Sequence, residues 1–438
     1  MSSNAPPRSV WSRSAKLVRL AAGLAQKEVS SRVQGAIASS DALARVMTQV
    51  DQARQLVEAL GQLKGAAMKA GQLLSMELRD VLPPEVTQVL SQLQDQGSKV
   101  GFEEIRSILE EELGAERLGQ LSIEPAPIAS ASIGQVHRAT WTRADGSTED
   151  VVLKVQFRGI AETIDSDLAL LERIARLFLA AQLKRFDLTA IFAELKGVLQ
   201  RETDYLHEAD ALERYRAKAL EVPGLAVPRV FRELCSRRVL ALSYEHGLKL
   251  DRFLATAPTR DERARVTGQL LDLYFREFFD WGLVQTDANF ANFLFRPERG
   301  EVVLLDFGAT REYERDFIER YRRLLLATLR RDRPGALEVA VELGLIDPRE
   351  SPAAKVALHE LLETVLGIFS PARQPFDFTD PAVPEAAASA LKAFYRELAI
   401  APPPAQLIFL HRKLGGVYTM GRALGARVDL VPYARRLG

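Results

Sequence analysis

The residues best suited to chemistry lie in one stretch, Gln285-Thr-Asp287-Ala-Asn-Phe-Ala-Asn292-Phe-Leu-Phe, followed shortly by Leu304-Leu-Asp306-Phe-Gly308. Phosphoryl transfer from a nucleotide needs magnesium across the phosphates, and this hard cation takes oxygen ligands from carboxylates and side-chain amides. Asp306 and Asn292 are the candidate magnesium ligands. Asp287 precedes Asn292 by five residues, the spacing of a kinase catalytic aspartate to its metal-binding asparagine. It is the candidate catalytic residue, accepting a proton or orienting a nucleophile. A second signal is Val151-Val-Leu-Lys154-Val, a lysine inside an apolar run. A buried ammonium is costly unless paired. In a kinase site such a lysine holds the nucleotide phosphates and is itself positioned by a glutamate on a helix. The candidate glutamates are Glu202 and Glu208 in Arg201-Glu202-Thr-Asp204-Tyr-Leu-His-Glu208-Ala, which reads as a helix with the two carboxylates pointing in different directions.

The elements around these residues must bring them together. Ile133 to Ala139 and Val151 to Gln156 read as strands around the turn Ala144-Asp-Gly-Ser147. Helical patterns run from Ile160 to about Leu220, followed by two short apolar runs, Ala226 to Val230 and Val239 to Tyr244. After Gly247 the texture is helical, except for a hairpin of Phe293 to Phe295 with Val302 to Leu305 and a Pro-rich loop near Ser370 to Pro384. The order predicts an α+β, two-lobed, protein-kinase-like fold with a mostly helical C-lobe. Ala241-Leu-Ser-Tyr-Glu245-His-Gly247 ends a strand and turns where a kinase linker would offer backbone groups to adenine. Ahead of the first hairpin, where a kinase carries a glycine-rich phosphate loop, stand Ala129, Ser130, Ala131 and Ser132, with Gly134 the glycine that remains. This predicts a stiffer phosphate contact. After Gly308 the chain passes straight into a helical pattern, Glu312 to Leu329, leaving no room for the long segment on which typical kinases dock peptides.

Further upstream, Asp41 to Leu82 reads as helix, with Leu56, Leu60, Leu63, Ala67, Ala70 and Leu74 at three- to four-residue steps, and a second helix is predicted over Phe102 to Leu113. The predicted division is a basic segment over 1–40, a helical extension over 41–122, an N-lobe with inserted helices over 123–246 and a C-lobe over 247–438. Residues 1–27 hold five basic residues and no acidic one. A solvated tail, a membrane-surface contact and an organelle transit segment all fit that start. Over the 438 residues, 58 Lys plus Arg balance 58 Asp plus Glu, so no net field favours nucleic acid, and none is expected as a partner. No apolar stretch reaches the length of a spanning helix. The single cysteine, Cys235, has no internal partner for a disulfide.

Taken together, the motifs resemble the UbiB family of atypical kinase-like proteins, named for ubiquinone biosynthesis. Lys69-Ala-Gly71-Gln72 looks like its Lys-x-Gly-Gln motif, Ala129-Ser-Ala-Ser132 like its alanine-rich loop, and Glu202-Thr-Asp204 like its Glu-x-Asp motif, each in the family's order. The resemblance extends from about Ala42 to Val428 and takes in His411-Arg-Lys-Leu-Gly-Gly-Val. Departures are Ala288, where the family's Thr-Asp-Pro-Asn has proline, and Ser130, where its loop has alanine. The resemblance implies ATP or ADP binding with magnesium and an N-terminal helical extension lying over the site. On it Lys69 and Gln72 guard access, with Glu202 or Asp204 as the acidic partner of Lys69. It further implies a cytoplasmic protein at a membrane surface, or a mitochondrial one if the basic start is a transit segment. Its role would be to support biosynthesis of ubiquinone or another isoprenoid lipid, with a lipid precursor and biosynthetic proteins as partners. An ATPase or small-molecule kinase is the expected activity. A protein kinase acting in trans and a nucleotide-regulated, non-catalytic lipid- or partner-binding module are the alternatives.

Overall fold

The computed structural model describes residues 100–130, 133–179, 188–399 and 405–438. The basic segment, the predicted helix over 41–82 with Lys69 and Gln72, and Ala131 and Ser132 lie outside the described residues.

The first described helix, α1 (Phe102–Gly119), carries Glu103 and Glu104 in its first turn, where carboxylates complement the positive end of the helix dipole. Its apolar residues Ile105, Ile108, Leu109 and Leu113 follow the helical repeat and are buried together with one face of an antiparallel sheet. That sheet contains β1 (Leu121–Ile123), β2 (Ala129–Ser130), β3 (Gly134–Thr142), β4 (Thr148–Gln156) and β6 (Val239–Ser243). The strands run in the order β1, β3, β4, β6, with β2 pairing β3. The β3–β4 hairpin turns on Gly146, whose φ of 81° suits glycine, and Asp145 accepts hydrogen bonds from the backbone N–H and hydroxyl of Ser147.

Strand alternation decides where Lys154 goes. Val151, Leu153 and Val155 point into the core shared with α1, so Val152 and Lys154 point to the opposite face. On that face Leu240 and Leu242 of β6 join the larger core of the C-lobe.

Between β4 and β6 come α2 (Ile160–Leu179), α3 (Leu188–Glu202) and α4 (Tyr205–Ala219). The single helix expected through Glu202 and Glu208 is in fact two. Asp204 is extended, and its side chain accepts from the Leu206 N–H at 3.1 Å, making it the N-cap of α4. The buried residues Tyr205, Ala209, Leu212, Tyr215 and Ala219 of α4 pack into the C-lobe core, not the α1 core.

A second correction concerns the two apolar runs after α4. Val239–Ser243 joins the first sheet, but β5 (Leu225–Ala226) pairs in parallel with β9 (Glu301–Leu304) of the region expected to be C-lobe, and β9 is in turn antiparallel to β8 (Phe293–Arg296). Helices α5 (Leu250–Ala255) and α6 (Arg260–Phe275) follow the linker, and α6 is opened by a Thr259/Glu262 capping box. It runs into a π-helical turn, Arg276–Trp281, closed by Gly282 in the left-handed region. The predicted helical start at Glu312 is also corrected. Thr310–Glu312 is a strand, β10, paired with β7 (Leu283–Gln285), and α7 begins at Arg315 and ends at Leu329.

The remaining helices are α8 (Arg333–Glu342), α9 (Pro352–Leu366), α10 (Ala382–Glu397), α11 (Ala405–Leu424) and α12 (Val431–Arg435). Within the predicted Pro-rich loop, β11 (Phe376–Asp377) pairs with β12 (Arg427–Val428). Among the described residues no helix is long and apolar enough to cross a membrane.

Candidate active site

Between the sheet of the N-lobe and the β7–β10 region, a chain of contacts links Lys154, Glu208, Asp306, Asn292 and Asp287. Lys154, projected from β4, places its Nζ 2.9 and 2.8 Å from the two carboxylate oxygens of Glu208 on α4 and 3.3 Å from Oδ2 of Asp306. Of the two glutamates considered as its partner, the structure brings Glu208 to the lysine. Glu202 ends α3, one side of the Asp204 break, while Glu208 lies one turn into α4 and is almost wholly buried. Burial alone would depress the Lys154 ammonium, but the carboxylates of Asp306 and Glu208 reverse this and hold it well above the ordinary lysine value. Lys154 is therefore a fixed cation. The ring of Tyr205 lies below it, 5.0 Å from Nζ to centroid.

Asp306 ends the β8–β9 hairpin side of the site. Its Oδ1 accepts from the Gly308 N–H at 3.1 Å, and the preceding Leu305 N–H donates to the Asn292 carbonyl at 2.9 Å, which ties the two candidate metal ligands together through the backbone. The Asn292 Nδ2 is committed, donating to the carbonyl and to Oδ2 of Asp287 at 3.0 and 2.9 Å. The amide oxygen is thereby the Asn292 atom suited to a hard cation. One carboxylate and one amide, completed by phosphate oxygens and water, is the kind of donor set magnesium takes with a nucleotide, so the residues present fit the group. Among the described residues no cluster of three or more His, Cys, Asp or Glu offers a separate metal site.

The Asp287 loop is fixed from both sides. Gln285 Nε2 donates to the Asp287 carbonyl at 2.8 Å, and the N–H and hydroxyl of Thr286 both donate to the Ala309 carbonyl, at 3.1 and 2.7 Å. The chain after Gly308 thus returns at once onto β7, consistent with the expected lack of a long docking segment.

Ala129 and Ser130 lie on β2, paired with Val136 and Gln135, over the start of the hairpin. Gly134 sits where a Cβ would collide with the carbonyl of Val155 and crowd the Tyr205 hydroxyl, so this glycine serves strand packing. In the linker, Gly247 lies where a Cβ would press on Leu294, and Leu248 exchanges both backbone hydrogen bonds with Phe295. The Glu245 side chain accepts from the Ser243 hydroxyl at 2.7 Å and pairs with Arg296 at 2.6 Å. Its carboxylate braces the two lobes across the linker.

Sequence reasoning missed a group of residues on α11. Arg412 Nη2 lies 2.7 Å from Oδ1 of Asp287. Next to it, Lys413, with 1% of its side chain exposed, pairs at 2.9 Å with the fully buried Glu277 and donates to Gln285 Oε1 at 3.3 Å. Glu277 also accepts from the Tyr215 hydroxyl at 2.6 Å and from the Gln285 N–H at 3.2 Å. Gly416 lets the helix rest directly on Ala288. A signal for Lys413 existed. Leu410, Lys413, Val417, Met420 and Leu424 follow the helical repeat, and a lysine on such a stripe needs a buried partner.

His411, also on α11, is exposed, and its Nε2 lies 3.0 Å from the Tyr321 hydroxyl.

A family model described as the ABC1 atypical kinase-like domain matches residues 92–340, more than half of the chain. The chain belongs to the ABC1 atypical kinase-like family. Among its relatives in that family, "Atypical kinase COQ8, mitochondrial" of Saccharomyces cerevisiae is 31% identical over 439 aligned residues, covering 98% of this chain and 84% of the yeast protein. The Schizosaccharomyces pombe protein of the same name is 32% identical, covering 98% of this chain and 69% of its own. A chain from a solved structure, the complex of Rv3197 with erythromycin from Mycobacterium tuberculosis, aligns with a TM-score of 0.60 at 24% identity, covering 91% of this chain and 98% of its own. The family membership bears out the UbiB resemblance, and the structural match bears out the two-lobed, kinase-like α+β fold. The ABC1 family is one of atypical kinases, which makes this chain a kinase-like protein.

Proposed function

We propose that the chain binds ATP or ADP with magnesium at this site and either hydrolyses ATP or transfers its γ-phosphoryl group to a small acceptor. The activity would serve ubiquinone or related isoprenoid-lipid biosynthesis at a membrane surface. The observation that carries the reading is the convergence of Lys154, Glu208 and Asp306 with the Asp287–Asn292 pair, drawn from both lobes. Lys154 would hold the phosphates, Asp306 and Asn292 the magnesium, Ala129 and Ser130 would cover the phosphates with the rest of their loop, and the linker backbone around Glu245 and Gly247 would receive the base. Bound magnesium would neutralise charge on the phosphates. Asp287 would orient the attacking O–H and take its proton. The lipid part of the reading rests on the named COQ8 relatives and on the basic segment at 1–40.

The short return from Gly308 to β10 supports a small acceptor or water over a docked peptide. The test is nucleotide binding with and without magnesium, and ATP turnover with and without liposomes and a phenolic isoprenoid mimic. In Asp306→Asn, magnesium is expected to stop strengthening nucleotide binding. Magnesium-dependent binding that survives this change would sink the metal assignment. Nucleotide binding without turnover under every condition would instead make the chain a nucleotide-regulated binding module.

A further inference from the structure

Helix α11 lies beyond residues 92–340 matched by the family model, yet it supplies a cation to the centre of the site. The loop's own residues fix the backbone of Asp287. Gln285 and Asn292 both hold its carbonyl, and Asn292 also holds Oδ2 of its carboxylate. That leaves a rotation of the carboxylate about the Asn292 contact still to be set. Arg412 sets it, gripping Oδ1 at 2.7 Å from outside the loop. Both side chains are mostly buried, at 18% and 22% exposure, where a charge-assisted hydrogen bond is screened less than at the surface.

The guanidinium is itself held. Its neighbours Lys413 and His411 are anchored on Glu277 and Tyr321, and Gly416 seats the helix against Ala288. An arginine carried on a helix fastened on three sides has few alternative positions. Each carboxylate oxygen can accept two hydrogen bonds, so one lone pair on each remains after Arg412 and Asn292 have taken theirs.

We propose that Arg412 is the positioning residue for Asp287, locking its carboxylate so that a remaining lone pair faces the attacking O–H. This rests on the reading of Asp287 given under Proposed function. Arg412 touches neither nucleotide nor acceptor in this scheme. It acts through Asp287, so its loss should appear in kcat and not in nucleotide affinity. A misplaced catalytic group costs one to two orders of magnitude in rate.

The test measures ATP turnover and magnesium-nucleotide binding for the full chain with Arg412→Ala, Arg412→Lys and Asp287→Asn, and for Arg412→Ala combined with Asp287→Asn. Arg412→Ala is expected to lower kcat roughly tenfold or more with nucleotide Kd unchanged. Arg412→Lys should recover part of that loss, and millimolar guanidinium should restore part of it in Arg412→Ala. In the Asp287→Asn background, Arg412→Ala should cause no further loss. Wild-type kcat in Arg412→Ala overturns the inference, as does an equal fold-loss in both backgrounds, which would mark a role in folding alone. A wild-type chain without turnover would overturn the reading of Asp287 itself, and this inference with it.

Discussion

Replacing Lys413 with methionine is expected to destabilise the chain by about 3 kcal/mol, at the low end of the cost of breaking a buried ion pair. The value is at the low end because Glu277 keeps two donors, the Tyr215 hydroxyl and the Gln285 N–H. The carboxylate left behind is partly satisfied. The opposite change, Glu277→Leu, leaves the ammonium, among the described residues, with the Gln285 side-chain oxygen at 3.3 Å alone and should cost about 5 kcal/mol, near the top of the same range. Urea unfolding of the two variants should therefore rank Glu277→Leu as the more damaging. Equal midpoints, or a harmless Lys413→Met, would mean that the pair is not the buried anchor its geometry describes. The consequence for function follows from position, because Gln285 lies two residues from Asp287 and both Lys413 and Glu277 hold it. The same ion pair that fastens α11 fastens the base of the Asp287 loop.

How far the site was legible depended on whether its chemistry was local. Asp287 and Asn292 are separated by a short loop, and Asp306 follows a tight hairpin, so spacing alone put them together. Lys154 was visible because a charge inside an apolar strand must point off the core face. Its partner was not, because the choice between Glu202 and Glu208 turned on a helix break at Asp204. An aspartate before a helical run is an N-cap signal, but here the helical pattern continues on both sides and hides it. Likewise β10 is three residues, Thr-Arg-Glu, with no apolar alternation to mark it, and it exists because it pairs with β7. The parallel partner of β5 lies some 75 residues downstream, beyond any local pattern. Arg412 was the hardest to see. Its contact to Asp287 spans 125 residues, and an arginine on an amphipathic helix carries no mark that distinguishes a solvated charge from one pointed at an active site.

Loss of the Glu208 carboxylate is expected to produce the largest functional effect in the molecule. In Glu208→Ala, Lys154 keeps one described anionic partner, Asp306, which it already approaches at 3.3 Å. With its closer partner gone, the ammonium should move onto Asp306, and the carboxylate proposed to hold magnesium would be neutralised by a lysine. Two assignments then fail together, because the phosphate-binding cation is displaced and the metal ligand is occupied. Turnover should fall by about 10²-fold or more, as expected when reacting groups shift by about an ångström. Magnesium should also strengthen nucleotide binding less than in the wild type. Stability should drop as well, by about 3 kcal/mol or more, since the broken pair is buried. Glu208→Gln separates the two effects. The glutamine amide oxygen can still accept from Lys154, so most of the stability should return, while the lost charge should leave turnover low. If Glu208→Gln turned over ATP at the wild-type rate, the carboxylate would be needed only as a hydrogen-bond acceptor, and the electrostatic account of the Lys154–Glu208–Asp306 triad would be wrong.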